Sequence, residues 1–169
     1  MHWPNPDQDR YVDAWRGLVA LLEEERVRAI GTSNFKPEHL QRLLDETGVT
    51  PDVNQVQLSP RTTRDATRDY DAEHGIVTES WSPLGAGSDL LDDPVLTDVA
   101  ARHGRTPAQV VLRWHLQLGL VVIPKSARPE RLAENLAVLD FELSADETDV
   151  ISALDRGESE ATDSDSFGH

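Results

Sequence analysis

The sequence predicts an α/β fold built around a parallel β-sheet. Short apolar segments typical of strands are separated by helical segments of about 10–15 residues, which is the pattern of right-handed βαβ units. No internal repeat or linker divides the 169 residues, and this length is enough for one domain with a hydrophobic core.

The helices are predicted from apolar side chains at spacings of three and four, and from capping sequences. Such a stripe runs from Tyr11 to Leu22, and one face of a helix has this spacing. Thr106 with Gln109, and Ser144 with Glu147, form capping boxes that start two later helices. We expect helices at 11–25, 37–46, 62–73, 94–102, from 106 to about 118, 129–138 and 144–154.

Four strands are predicted between these helices, and the start of the chain resembles the exit of a fifth. The strands are expected at 26–31, 53–58, 76–81 and 120–123. A complete (β/α)8 barrel needs about 250 residues. The predicted fold is therefore an incomplete (β/α)8 barrel, roughly strands 4–8 with their helices, over residues 1–155. Residues 156–169 are acidic and rich in Ser, which predicts a disordered tail.

The composition excludes several classes of function. The formal net charge of −15 repels nucleic acid and anionic membranes. The lack of Cys excludes disulfides and thiolate metal sites, and no metal site is predicted. There is no apolar run of about 20 residues for a membrane span and no secretory signal, so a cytoplasmic location is expected. With 31 acidic residues and only two Lys, the surface is either adapted to high salt or simply acidic.

Five short segments lie on the predicted strands or directly after them, and barrel enzymes have their active sites at the C-terminal ends of the strands. They are His2-Trp3-Pro4, Gly31-Thr32-Ser33-Asn34-Phe35, Val53-Asn54-Gln55, Trp81-Ser82-Pro83-Leu84-Gly85, and Ile123-Pro124-Lys125-Ser126 followed by Arg131, Glu134 and Asn135. The set resembles the aldo-keto reductase family, and its diketogulonate-reductase-like prokaryotic members in particular. This resemblance covers nearly the whole chain up to the tail. It implies an oxidoreductase that reduces aldehydes or ketones with NADPH by hydride transfer.

The resemblance implies a nicotinamide site near the first two strands. Ser33, Asn34 and Gln55 would bond the carboxamide of the nicotinamide, and the indole of Trp81 would stack on the ring. The competing interpretation is that the three polar residues only cap strand–helix turns and that Trp81 is an ordinary core residue.

The resemblance also implies sites for the phosphates and the adenine. Backbone N–H groups would reach the pyrophosphate from Ser82, Leu84 and Gly85. The 2′-phosphate of the adenosine ribose would be bound by Lys125, Ser126 and Arg131, with Arg128 assisting. The adenine would be bound by Glu134 and Asn135. The alternative is a solvated basic cluster, which is a poorer explanation on so acidic a surface.

The catalytic set is expected to be incomplete. In the family a Tyr donates a proton to the carbonyl oxygen, a Lys paired with an Asp lowers the pKa of that Tyr, and a His orients the carbonyl. His2 matches this His, and Trp3 is predicted to contact the substrate. Tyr11 and Tyr70 lie on predicted helices outside any matching motif, and the family's Asp, Tyr and Lys belong to strands that would precede Met1.

Three hypotheses remain open from the sequence. The first is a carbonyl reductase whose N-terminal part is missing, through truncation, a misplaced start site or a frameshift. The second is a binding module that holds the dinucleotide without catalysis. The third is an assembly component whose exposed strand edges pair with a second copy or with an N-terminal fragment.

Overall fold

The computed structural model describes residues 1–167, and within them strands and helices alternate as predicted. The strands are β1 (Gly31–Ser33), β2 (Val53–Gln57), β3 (Val77–Trp81) and β4 (Val121–Val122). The helices are α1 (Tyr11–Glu23), α2 (Pro37–Thr47), α3 (Asp65–Glu73), α4 (Pro94–His103), α5 (Pro107–Gln117), α6 (Pro129–Leu136) and α7 (Ala145–Ser152). None of the helices in this part of the chain is long and apolar enough to cross a membrane.

The four strands form one open parallel sheet, which confirms the predicted fold class of a partial (β/α)8 barrel. Their order in the sheet is β1-β2-β3-β4, the sequential order that successive βαβ units produce. β1 pairs with β2 in a register that sets Gly31 opposite Val53 and Ser33 opposite Gln55. Two polar residues of the predicted nicotinamide site are therefore direct neighbours across the sheet.

The chain divides into two compact units. Unit 1 contains Met1–Val56, Arg64–Glu79 and the chain from Ala161 onward. Its core forms where α1 and α2 bury their apolar faces. The buried members of this core are Tyr11, Val12, Trp15, Ile30, Phe35, Leu40, Leu43 and Ile76.

Unit 2 contains Gln57–Thr63 and Ser80–Glu160. Its core lies between α4 and α5, with Leu96, Val110 and Trp114 buried. The indole nitrogen of Trp114 donates a hydrogen bond to the Ser152 hydroxyl at 2.9 Å, which ties α5 to α7. Both predicted capping boxes, at the starts of α5 and α7, are present.

Two predicted elements differ in the structure. The strand predicted at 26–31 is wrong: the chain turns after α1, with Glu25 at φ 56°, and strand β1 begins only at Gly31. The helix predicted at 62–73 begins at Asp65, because Arg64 adopts a left-handed φ of 55°. An α-helix cannot pass through that conformation.

The acidic segment at the end of the chain makes specific contacts within unit 1. Lys36 forms ion pairs with Asp163, at 2.8 Å, and with Asp165. Ser164 is buried, and the ring of Phe167 meets the indole of Trp3 edge-on with centroids 4.9 Å apart. The last two residues of the predicted disordered tail, Gly168 and His169, lie outside the described residues.

Candidate cofactor site

In unit 1, the register of β1 and β2 brings the predicted nicotinamide residues together. The Ser33 hydroxyl donates to the Gln55 carbonyl oxygen at 2.8 Å, and the Asn34 backbone N–H donates to the same oxygen at 2.8 Å. The Asn34 side-chain amide donates to the Ser33 hydroxyl oxygen at 3.1 Å. These bonds fix the three groups relative to one another before any ligand arrives.

The same cluster is attached to its surroundings on both sides. Asn34 has a φ of 64°, a conformation that Asn tolerates better than most residues. Its side-chain amide also donates to the His2 carbonyl oxygen at 3.0 Å, which fastens the first residues to β1. The Gln55 amide donates to the Glu79 carboxylate at 3.1 Å, so the orientation of Gln55 is set from β3.

A buried polar network lies behind these strand ends, and none of its side chains was predicted to belong to a site. Thr32 donates to the Asn54 side-chain oxygen at 3.1 Å, and the Asn54 amide donates to the Phe35 carbonyl oxygen at 3.0 Å. Thr78 donates to the Asp71 carboxylate at 2.8 Å. Burial raises the pKa of Asp71 to about 6, against the opposing hydrogen bonds from Thr78 and Asn54. The burial of Asp71 could not be predicted from the sequence, because Asp71 lies in a helix of mostly polar residues.

In unit 2, a cavity of about 370 Å³ gathers the residues predicted for the phosphate and the adenine. Of the predicted cofactor residues, it is lined by Leu84, Lys125, Ser126, Arg131, Glu134 and Asn135. These residues come from the loop after β3, the loop after β4 and helix α6. Trp81, Ser82, Gly85 and Arg128 do not line this cavity.

The basic side chains of this cavity form no ion pairs with the described residues. Among residues 1–167, neither Lys125 nor Arg131 has an ion-pair partner, although acidic residues outnumber basic ones by 31 to 16 in the chain. The Ser126 hydroxyl accepts a hydrogen bond from the Arg128 backbone N–H at 3.1 Å. An ammonium and a guanidinium facing one cavity are donors suited to a phosphate.

Five further residues line the cavity and were not predicted: Leu91, Asp92, Thr106, Pro107 and Ala108. The last three are the N-cap and first turn of α5, whose N–H groups and dipole favour an anion. The Thr106 hydroxyl donates to the Glu134 carboxylate, which positions that predicted adenine ligand. The capping box at Thr106 predicts this helix start, but only the fold brings it to the cavity.

The loop between β3 and α4 has a backbone that few residues adopt. Ser82 has a φ of 52° and Gly85 a φ of 79°. A Cβ at Gly85 would lie 2.5 Å from the Ser88 hydroxyl oxygen, so this position requires Gly. The Leu58 backbone N–H donates to the Trp81 carbonyl oxygen at 3.3 Å, which holds the last residue of β3 at the base of the loop.

His2 and Trp3, predicted for catalysis and substrate contact, lie in unit 1 at a separate shallow cavity of about 260 Å³. Their rings are adjacent, with centroids 5.6 Å apart. The amino group of Met1 donates to the Gly31 carbonyl oxygen at 2.6 Å. The start of the chain is therefore held against β1.

Known proteins resemble the chain over nearly all of its length. The sequence profile of the Aldo/keto reductase family matches residues 1–156. The chain belongs to the aldo/keto reductase family. It is 52% identical over 169 residues to the methylglyoxal reductase DkgA of Salmonella typhimurium, covering 99% of this chain and 62% of that protein. It is 54% identical over 157 residues to 2,5-diketo-D-gluconic acid reductase B of a Corynebacterium species, covering 93% of this chain and 57% of that protein.

Solved structures of other family members resemble the chain over its full length. The crystal structure of apo Gox0644 matches with a TM-score of 0.96 and 48% identity, covering all of this chain and 62% of that one. A mutant of Gox0644 in complex with NADPH matches with a TM-score of 0.95 and the same coverage. The chain thus spans about three fifths of the length of these relatives.

Proposed function

We propose that the protein is an NADPH-dependent oxidoreductase that reduces small aldehydes or ketones to alcohols. The observation that carries the proposal is the cavity in which Lys125 and Arg131 face a common space without ion-pair partners in the described part of the chain. Support comes from the relatives: one is in complex with NADPH, and others are named methylglyoxal reductase and 2,5-diketo-D-gluconic acid reductase. Small dicarbonyl compounds are therefore the proposed substrate class.

The chemistry of the donor groups fits NADPH. Lys125, Ser126 and Arg131 offer an ammonium, a hydroxyl and a planar guanidinium to the 2′-phosphate, which NADH lacks. Glu134, positioned by Thr106, and Asn135 would bond the adenine. Bound NADPH supplies the hydride.

The remaining roles fall to unit 1. Ser33, Asn34 and Gln55 would bond the carboxamide and so determine which face of the nicotinamide is presented. His2 would orient the carbonyl oxygen by a hydrogen bond, and Trp3 would contact the substrate. The chain spans about three fifths of its relatives' length. We therefore also propose that this chain catalyses the reduction on its own.

In the first test, the chain is titrated with NADPH and, separately, with NADH. Binding is measured as quenching of Trp fluorescence. Lys125→Ala should weaken NADPH binding by about 10- to 100-fold, because one charge-assisted hydrogen bond contributes about 1.5–3 kcal/mol. NADH binding should change by less than about threefold. Arg28→Ala, which removes an exposed positive charge in unit 1, is the matched control and should leave both affinities unchanged.

Equal losses of NADPH and NADH affinity in Lys125→Ala would contradict the 2′-phosphate assignment. A wild-type chain that does not bind NADPH would overturn the cofactor proposal itself. Reductase activity is measured separately, as loss of NADPH absorbance in the presence of methylglyoxal. Binding without turnover would favour the module that holds the dinucleotide without catalysis.

A further inference from the structure

Glu79 is a half-buried acidic residue that the proposed function does not use. It lies on β3, and its carboxylate accepts a hydrogen bond from the Gln55 side-chain amide of the neighbouring strand β2 at 3.1 Å. Within residues 1–167 the Glu79 side chain has no other hydrogen bond and no ion-pair partner. A partly buried charge without a cation contributes little to stability, so the effect of Glu79 on Gln55 is the property to explain.

The Glu79 carboxylate imposes one orientation on the Gln55 amide. A side-chain amide has a donor end and an acceptor end, and a rotation of the amide by half a turn exchanges them. Because a carboxylate can only accept, the group that lies 3.1 Å from Glu79 is the NH2 end of Gln55. The oxygen end of Gln55 therefore points away from Glu79, and it has no hydrogen-bond partner within residues 1–167.

The donors of the two neighbouring polar side chains are already used inside the cluster. The Ser33 hydroxyl donates to the Gln55 main-chain carbonyl oxygen at 2.8 Å. The Asn34 side-chain NH2 donates to the Ser33 hydroxyl oxygen at 3.1 Å and to the His2 carbonyl oxygen at 3.0 Å. The cluster therefore offers a ligand mainly an acceptor, the Gln55 side-chain oxygen, and the ligand group that fits an acceptor is an N–H.

We propose that Glu79 is a positioning residue for the nicotinamide: it holds the NH2 end of Gln55, so that the Gln55 oxygen faces the ligand and selects the NH2 group of the carboxamide. The inference rests on the proposed function, in which Gln55 bonds the carboxamide. It adds which half of the carboxamide is recognised and which residue determines that choice. Without the Glu79 carboxylate, both orientations of the Gln55 amide become accessible and the selection is lost.

The test compares NADPH with its reduced 3-acetylpyridine analogue, in which a methyl group replaces the NH2 of the carboxamide. Wild type should bind NADPH about 3- to 10-fold more tightly, because the analogue leaves the Gln55 oxygen without its hydrogen bond. In Glu79→Gln this preference should fall below about twofold, because a Gln side chain can either accept from Gln55 or donate to it. Both affinities are measured in the full chain by quenching of Trp fluorescence.

Two controls separate this effect from charge and from damage to the fold. Glu73→Gln removes the same charge from an exposed position on α3 and should keep the wild-type preference for NADPH. The ligand 2′,5′-ADP carries the adenine and the 2′-phosphate but no nicotinamide. Its affinity should be the same in wild type and Glu79→Gln to within about twofold, because the change is confined to the nicotinamide contact.

A double-mutant cycle tests whether Glu79 acts through Gln55. Gln55→Ala should abolish the preference for NADPH over the analogue. Adding Glu79→Gln to Gln55→Ala should then change neither affinity by more than about twofold, because the amide that Glu79 orients is gone. A direct effect of the Glu79 charge on the dinucleotide would persist in this background, would change both affinities equally, and would contradict the positioning role.

The outcomes distinguish this inference from the proposed function. Equal binding of NADPH and the analogue by wild type, an unchanged preference in Glu79→Gln, or an equal loss in Glu73→Gln would overturn the role of Glu79 and leave the proposed function intact. A wild-type chain that binds neither dinucleotide would overturn both.

A second measurement needs neither a ligand nor a folded variant. In the NMR spectrum of the wild-type chain, one proton of the Gln55 side-chain NH2 should be shifted downfield relative to exposed Gln side chains, because it bonds a carboxylate. Protons of Gln55 at the shifts of exposed Gln side chains would refute the imposed orientation.

Discussion

Replacing Asp71 with Asn should stabilise the protein at neutral pH. The Asp71 side chain is fully buried, and burial raises its pKa from 3.8 to about 6. Each unit of pKa shift corresponds to 1.36 kcal/mol, so a shift of this size costs about 3 kcal/mol of stability once the group is ionised in the fold. Asn has nearly the same shape as Asp and carries no charge.

The hydrogen bonds at this position reduce the expected gain. In the Asp71→Asn variant, the side-chain oxygen would still accept from the Thr78 hydroxyl, now 2.8 Å from the carboxylate. The new amide would face the Asn54 amide, which lies 3.5 Å from both carboxylate oxygens, and two donors would then meet. We therefore expect a net gain of about 1–2 kcal/mol at pH 7.5.

The dependence on pH makes this prediction specific. Because the folded pKa is raised, the folded state binds the proton more tightly than the unfolded state, and this group's contribution to stability falls as pH rises from about 4 to about 6. Below about pH 4 the carboxyl is neutral in both states, so the advantage of the Asp71→Asn variant should disappear. Above about pH 6 the advantage should be complete and constant.

The assay is urea unfolding of wild type and Asp71→Asn at fixed ionic strength across pH 4–8. Asp69→Asn removes the same charge from an exposed position on the same helix and should change stability by less than about 0.5 kcal/mol at every pH. A variant that is less stable than wild type at pH 7.5, or equally stabilised at pH 4 and 7.5, would show that burial of an ionised Asp71 is not the dominant effect.

Two other substitutions test contacts within unit 1. Lys36→Ala should release residues 161–167, because Asp163 and Asp165 both bond its ammonium. Proteolysis within this segment should then become about fivefold faster. The control Arg16→Ala breaks exposed ion pairs elsewhere and should leave the rate of proteolysis unchanged. Gly31→Ala should lower the free energy of unfolding by about 1–3 kcal/mol, because its Cβ would lie 2.7 Å from the Val53 carbonyl oxygen. The control Gly17→Ala, with nothing within 4 Å of the added Cβ, should instead stabilise α1 by about 0.5–1 kcal/mol in the same urea experiment. A tail that stays protected in Lys36→Ala, or equal effects of the two Ala substitutions, would contradict these contacts.

The sequence predicted best what is determined by neighbouring residues. The capping boxes at Thr106 and Ser144 depend on contacts within four residues, and the structure has both. The strand at 26–31 was predicted wrongly, because its alternation of charged and apolar residues satisfies a strand pattern while the chain turns at Glu25. The start of α3 was also predicted wrongly, because Arg is not a residue type that indicates a left-handed backbone, and Arg64 adopts one.

Long-range pairing could not be predicted from the sequence. The acidic composition after residue 156 predicts disorder, yet Lys36 contacts this segment from about 127 positions away in the chain. Likewise, an ion pair between Arg61 and Asp89 joins two loops that no sequence motif connects. The cavity lining was predicted in part, because the family motifs mark Lys125 to Asn135, while the start of α5 joins them only through the fold.

The charge distribution favours the proposed phosphate site over a solvated basic cluster. Acidic residues outnumber basic ones about two to one, and Arg16, Arg42 and Arg105 each pair with a carboxylate, whereas the scattered Arg10 and Arg28 form no ion pair within residues 1–167. Lys125 and Arg131 also form none in this part of the chain, although Asp92 and Glu134 line the same cavity. Long-range attraction to an anion would be weak, because the net charge is −15 and salt screens it further. Phosphate binding would then depend on direct hydrogen bonds from these cations. Salt weakens such hydrogen bonds much less than it weakens the attraction between distant charges.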